Sequence, residues 1–305
     1  MKLVVATTQF PVSSEIPRNA RYIRRQMNAA AERGAAVVHF CEGALSGYAG
    51  VDFPTFDSFD WDALERCTHE ICSLAGQLGL WVLLGSAHRL TGNRKPHNSV
   101  YVINDRGNIV DRYDKRFCAG RPNDPAAELV HFSPGNHLCI ISIRNVRCSV
   151  LICHEFRYPE LYRACKSQGV QVVFHSFHAG HATGKRLASM RRQVGRDLLR
   201  WNPADTLPGI TMPATMHAAA ASNHVWISCS NTSARESCWP AFFVRPDGVI
   251  TGRLQRNRAG VLISTVDTNA RFYDSTAPWR DRAMRGTLHS GKLVDDARSR
   301  CRTRL

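Results

Sequence analysis

Three side chains that together suffice for acyl transfer stand at the ends of apolar, strand-like segments. Glu42 follows AAVVHF (35–40), Lys115 follows NIVDRYD (108–114), and Cys153 closes VRCSVLIC (146–153). Strand exits are where α/β proteins place their sites. A thiolate can attack a carbonyl, a neighbouring ammonium lowers a cysteine pKa, and a carboxylate can accept the thiol proton. Each residue alone has a plainer reading. Glu42 and Lys115 would be charged surface residues, and Cys153 a small buried hydrophobe among 11 cysteines. The case rests on the three together and on their surroundings.

The elements that must position them alternate between strand and helix patterns. LVVATTQF (3–10) is strand-like, residues 15–33 carry helical spacing up to Gly34, and 61–79 form a second amphipathic helix before the strand LWVLLGSAH (80–88). SVYVIN (99–104) and NIVDRYD are joined by DRG, a hairpin signal. HLCIISI (137–143) and VRCSVLIC pair around Arg144-Asn145, and a helix from about 157 to 168 leads into VQVVFHSF (170–177). Helices at 183–201 and 211–222 and strands at 225–230, 239–245, 248–254 and 260–266 complete the chain. Strand–helix units with inserted hairpins predict an α/β fold of two mixed sheets packed face to face, helices outside. No GxGxxG follows the first strand, which argues against a dinucleotide fold.

Composition narrows the function. A length of 305 residues with 44% hydrophobic and 21% charged content suits a globular protein. No apolar run reaches the roughly 18–20 residues of a membrane helix, and MKLVVATTQF lacks a signal-peptide pattern, so a cytoplasmic protein with free thiols is expected. The formal charge of +15 is concentrated, with +5 in residues 182–201 and +5 in 280–305. Arginine outnumbers lysine 34 to 6 throughout, and no nucleic-acid-binding signature accompanies the charge. Nucleic acid is therefore not the expected partner.

Four segments in order resemble the nitrilase superfamily of carbon–nitrogen hydrolases: HFCEGALSGY (39–48), YDKRF (113–117), ELVHFSPG (128–135) and LICHEFRYPELYR (151–163). ASNHVWISCSN (221–231) and FFVRPDGVI (242–250) fit the late strands of that family. The resemblance implies a four-layer αββα sandwich that assembles as a homodimer or larger homo-oligomer. It implies a triad of Glu42 as proton carrier, Lys115 as oxyanion stabiliser and Cys153 as nucleophile, working without a cofactor. Glu128 would orient Lys115 or the substrate, and the backbone N–H of His154 would be the second oxyanion donor. Tyr48, Phe117 and His178 are expected to line the substrate pocket, while Glu155 and Arg157 brace the cysteine turn. Residues 1–268 would form the hydrolase domain, with a basic helical insert at about 178–210. Residues 269–305 would be a tail at an oligomer interface.

The departures from the family pattern cluster around the pocket. Arg116-Phe117-Cys118 follows the lysine, an Ala in TMHAAAASN (215–223) replaces a late Arg, and the insert could close over the site. Arg191 and Arg192 in the insert would suit an anionic amide substrate. In HSFHAGH (175–181) three histidines recur every third residue, but no carboxylate or cysteine accompanies them, so no metal is assigned. The expected activity is an amidase or N-carbamoyl hydrolase acting on a small linear substrate. A nitrilase is the alternative, made less fitting by His154-Glu155 after the cysteine. A nucleic-acid binder or a catalytically silent scaffold are the readings from other classes.

Overall fold

The computed structural model describes residues 1–121, 123, 124 and 127–303. The first half runs β1 (Lys2–Gln9), α1 (Ile16–Glu32), β2 (Val37–His39), α2 (Trp61–Leu78), β3 (Trp81–His88), β4 (His97–Ile103) and β5 (Ile109–Asp114). It continues with β6 (Ile140–Ile143), β7 (Val146–Ile152), α3 (Pro159–Ser167), β8 (Val172–Ser176), α4 (Gly184–Val194) and α5 (Leu207–Asn223). The end is β9 (Trp226–Ser230), β10 (Phe242–Val244), β11 (Ile250–Arg253), β12 (Gly260–Asp267) and two short helices, α6 (Arg280–Met284) and α7 (Ala297–Arg300).

The strands form two six-stranded mixed sheets, ordered β12-β1-β2-β3-β4-β5 and β11-β10-β9-β8-β7-β6. Each sheet holds three adjacent parallel strands, β1-β2-β3 and β7-β8-β9, flanked by antiparallel ones. Parallel neighbours need long crossovers, and α1, α2, α3 and the α4–α5 pair supply them. The Arg144-Asn145 hairpin has positive φ at both residues, 47° and 66°, the turn whose twist suits flanking strands.

Strand alternation separates the two faces of the first sheet. Val5, Val37, Leu83, Val100 and Val102 join the core shared with Val150, Val172, Phe174 and Ile227 of the second sheet. Ala6, Val38, Val82 and Leu84 point the other way, under Ile23 and Met27 of α1 and Ile71 of α2. On the outer face of the second sheet, α3 and α5 pack against each other. The molecule is thus an αββα sandwich. A polar seam crosses its centre: His39 Nδ1 lies 2.8 Å from Ser228 Oγ and His39 Nε2 2.9 Å from Ser176 Oγ, joining β2 to β9 and β8.

Two helices differ from the sequence reading. The 183–201 helix breaks at Gly195, and Arg196–Trp201 continue as a 3-10 turn. The helix expected at 211–222 begins at Leu207, because Thr206 caps it and Pro208 fits its first turn. In the 269–305 segment, Phe272 packs edge-on against Trp226 and Arg280 pairs with Asp274, while Leu288, Leu293 and Val294 are exposed.

Candidate active site

Glu42 lies three residues beyond β2 in a turn laid along β3. Phe40 N–H donates to Leu83 O and Leu45 N–H to Gly85 O, each at 2.9 Å, so main-chain bonding continues past the end of the parallel ladder. At Gly85 a Cβ would stand 1.9 Å from Cys41 O, so the turn can rest there only on a glycine. Lys115 is held similarly at the end of β5. Its N–H donates to Asn98 O at 2.9 Å and its carbonyl accepts from Gly135 N–H at 2.8 Å.

The Lys115 side chain is 1% exposed and clamped between two carboxylates, 2.7 Å from Glu42 Oε1 and 2.8 Å from Glu128 Oε2. Asn98 Nδ2 donates to both, at 2.7 Å to Glu42 Oε1 and 2.7 Å to Glu128 Oε1. Ala119 N–H completes the shell of Glu128 at 2.7 Å. Burial alone would favour the neutral amine, but Glu128 and Glu42 outweigh it and hold the Lys115 pKa well above its ordinary value. Burial opposes ionisation of Glu128 too, and Lys115 overcomes it to hold the carboxyl below its usual range. Among the described residues Glu42 Oε2 is buried without a hydrogen-bond partner, which leaves an oxygen free to take a proton.

Cys153 stands where β7 passes into a 3-10 turn spanning Cys153–Arg157, with φ at 42°. A non-glycine residue in that region is strained and persists only when its surroundings fix it. Glu155 does much of the fixing. Its Oε2 accepts from Ile152 N–H at 2.7 Å, and its Oε1 accepts from Tyr113 O–H and Arg116 N–H, both at 2.8 Å. One carboxylate therefore ties the cysteine turn to the lysine turn. From β8, His175 Nε2 donates to Cys153 O at 3.1 Å, while its Nδ1 lies 2.6 Å from the Tyr162 hydroxyl. Burial lifts the Cys153 thiol well above its ordinary pKa and Glu42 adds to this, against Lys115 and the His178 N–H. Cys153 is thus a protonated thiol in a cavity it shares with the Glu42 carboxylate.

Glu42, Glu128, Cys153 and His154 line one cavity of about 670 Å³, with Tyr48 and His178 on its wall. The ring of His178 stacks on Tyr48 at 5.1 Å. Phe117, expected in the pocket, lies outside it: the ring is 42% exposed and stacks on Tyr158 at 4.1 Å, because Glu155 pulls its backbone toward the cysteine turn. Arg157, expected to brace, instead reaches the cavity wall with its guanidinium over Phe156. The insert covers part of the cavity through Arg186, Met190 and Pro208. Arg191 pairs with Asp205 at 2.6 Å on the surface, and Arg192 is exposed, so neither forms the wall. A larger depression of about 750 Å³, lined by Asp57, Trp61, Arg89 and Arg94, has no cysteine among its lining residues.

Asn98 and His175 were not singled out by sequence. Asn98 had a weak signal, a polar residue beginning a strand in HNSV. His175 had none, since its role comes from a contact across 22 positions.

Comparison with known proteins bears on family and fold. The chain is 26% identical over 179 residues to the N-carbamoylputrescine amidase of Solanum tuberosum, covering 57% of each chain. It is 24% identical over 115 residues to the deaminated glutathione amidase of Yersinia enterocolitica, covering 34% of this chain and 38% of that protein. These alignments span from about a third to a little over half the length of the curated relatives. In fold, the crystal structure of an amidase from Nesterenkonia sp. superposes with a TM-score of 0.70 at 19% identity, covering 94% of this chain and 96% of that one. The family model described as carbon-nitrogen hydrolase matches residues 4–272, and this chain belongs to that family of enzymes.

Proposed function

We propose that this carbon–nitrogen hydrolase acts on a small linear amide or N-carbamoyl compound through a thioester on Cys153. The observation that carries the reading is the unpartnered Glu42 Oε2 in the cavity it shares with Cys153, beside a lysine that cannot leave. Glu42 accepts the thiol proton as sulfur attacks the carbonyl carbon. Lys115 Nζ and the His154 N–H stabilise the oxyanion, and Glu128 with Asn98 fixes the lysine's position. The proton passes to the leaving nitrogen, the C–N bond breaks, and ammonia or an amine departs. Glu42 then activates water, which attacks the thioester and releases the acid.

Arg157 and Arg186 on the wall support a substrate bearing an anionic group. The amidase names of the relatives agree with amide cleavage. Exposed Leu288, Leu293 and Val294 suit the tail to a contact between copies in a homodimer or larger homo-oligomer. The test is ammonia release over a panel of amides, ureides and nitriles, with Cys153→Ala as control. Mass spectrometry of quenched reactions should find the acyl group on Cys153. Undiminished turnover by Cys153→Ala, or turnover of nitriles alone, would sink the reading.

A further inference from the structure

Beside the cavity, the loop after β8 and the turn after Tyr48 bring together three groups that the reaction does not use. Asp52 is held from behind, since Tyr48 N–H donates to its Oδ2 at 2.8 Å. His178 Nε2 lies 3.1 Å from Asp52 Oδ2, and His181 Nε2 lies 2.9 Å from Asp52 Oδ1. The donor atoms of all three lie within 4.8 Å of one another. The side chains of Asp52 and His178 are 0% exposed and that of His181 is 37% exposed, so the cluster opens toward solvent on one side only.

The packing leaves these groups close but poorly matched. Neither ring nitrogen of His178 makes a hydrogen bond among the described residues, nor does Asp52 Oδ1, although all three atoms are buried. His181 Nε2 donates to Val12 O at 3.2 Å, a bond that an ion at this nitrogen would displace along with the proton. Buried polar atoms without partners are costly. A cation would take up Asp52 and one ring nitrogen each of His178 and His181, leaving the other His178 nitrogen unbonded.

We propose that Asp52, His178 and His181 form a binding site for a divalent transition-metal ion of the zinc class. A tetrahedral ion about 2.0–2.1 Å from nitrogen and oxygen donors sets those donors roughly 3.3 Å apart. The two measured pairs are near that spacing, each through a different oxygen of Asp52, so binding requires the carboxylate to turn and the histidine pair to close. Two imidazoles and one carboxylate favour a borderline ion over calcium or magnesium, which take all-oxygen shells. The Tyr48 N–H supplies the outer hydrogen bond that orients the carboxylate. The carboxylate absent from HSFHAGH itself thus arrives from a turn more than a hundred residues away. Of the three ligands, His178 also lines the cavity. His178 and Cys153 line the same cavity, so an ion held by the His178 ring lies on the wall of the site and its binding lowers turnover.

The experiment uses Cys153→Ala protein, which removes the reactive thiol as a competing ligand. After equilibration with Zn²⁺ and gel filtration, metal analysis should find one equivalent per chain. His181→Gln, at the half-exposed position, and Asp52→Asn should each weaken binding by more than the roughly 10–100-fold cost of losing an outer-shell partner. Circular dichroism of metal-free samples checks that both variants are folded. With Co²⁺ on wild-type protein, the visible spectrum should lack a sulfur-to-metal charge-transfer band, and Zn²⁺ inhibition should need a higher concentration in His181→Gln. No stoichiometric zinc in Cys153→Ala, equal retention in His181→Gln, or a sulfur band with Co²⁺ would each overturn the site.

Discussion

Lys115 has no route to water, so its loss would fall on Glu42 and Glu128, two carboxylates that would face each other without a cation. Removing one partner of a buried ion pair costs about 3–5 kcal/mol. Lys115→Met should therefore lower stability by that order in urea unfolding and abolish turnover. Adding Glu128→Gln should restore part of the stability and none of the activity, which separates folding from catalysis. Asn98→Ala removes only a neutral donor, and should cost about 1–2 kcal/mol while lowering kcat more than it raises KM. At this scale the sequence pointed to Glu42, Lys115 and Cys153 by residue type, and the fold brings Glu42 against Lys115 and into one cavity with Cys153. The sequence was silent on Asn98, whose two carboxylate partners lie 56 and 30 positions away. Phe117 misled because an aromatic near a motif carries no mark of which way its backbone is drawn.

The elements around the triad differ in how firmly they are fixed. The turns bearing Glu42, Lys115 and Cys153 are stitched to strands by main-chain bonds, whereas α4 meets the rest of the molecule with a single buried residue, Val194. Its start depends on Thr183, whose hydroxyl accepts from Arg186 N–H at 3.2 Å. Losing an N-cap costs about 1 kcal/mol. Thr183→Ala should fray the turn that carries Arg186, raising KM for an anionic amide with little change in kcat. Arg186→Ala should reduce the preference for anionic over neutral amides, and Arg191→Ala should leave it unchanged, because Arg191 is spent on Asp205. Charge composition had marked the insert as basic, but only the helix phase decides which arginine faces the cavity. Short apolar runs placed the strands well, since burial on both sheet faces leaves the inner strands little polar surface. Periodicity missed the break at Gly195, where capping and φ override the pattern.

Across the whole molecule, two buried histidines join the layers and make their docking sensitive to acid. Burial lowers the pKa of His39 from 6.5 to about 3, helped by His175, and burial lowers that of His175 from 6.5 to about 3 as well. Below 6.5 the unfolded chain takes up these protons and the folded one does not. Stability contributed by the pair is therefore complete above 6.5 and falls as pH drops toward 3, by about 1.4 kcal/mol per pH unit per histidine. Urea unfolding followed across this window should show the slope, and His39→Gln should remove about half of this contribution. The two-sheet architecture was legible from the order of strands and helices. The polar seam was not, since one-dimensional patterning cannot show which strand of the opposite sheet a buried histidine will meet.

The first sheet carries Glu42 and Lys115, and the second carries Cys153. Under the proposed mechanism, catalysis is thus a gauge of how the two slabs sit on each other. A slip of an ångström between them would silence the enzyme while every helix and strand stayed intact. Mild acid or denaturant should therefore quench turnover before the far-ultraviolet dichroism changes, and return to neutral buffer should restore it.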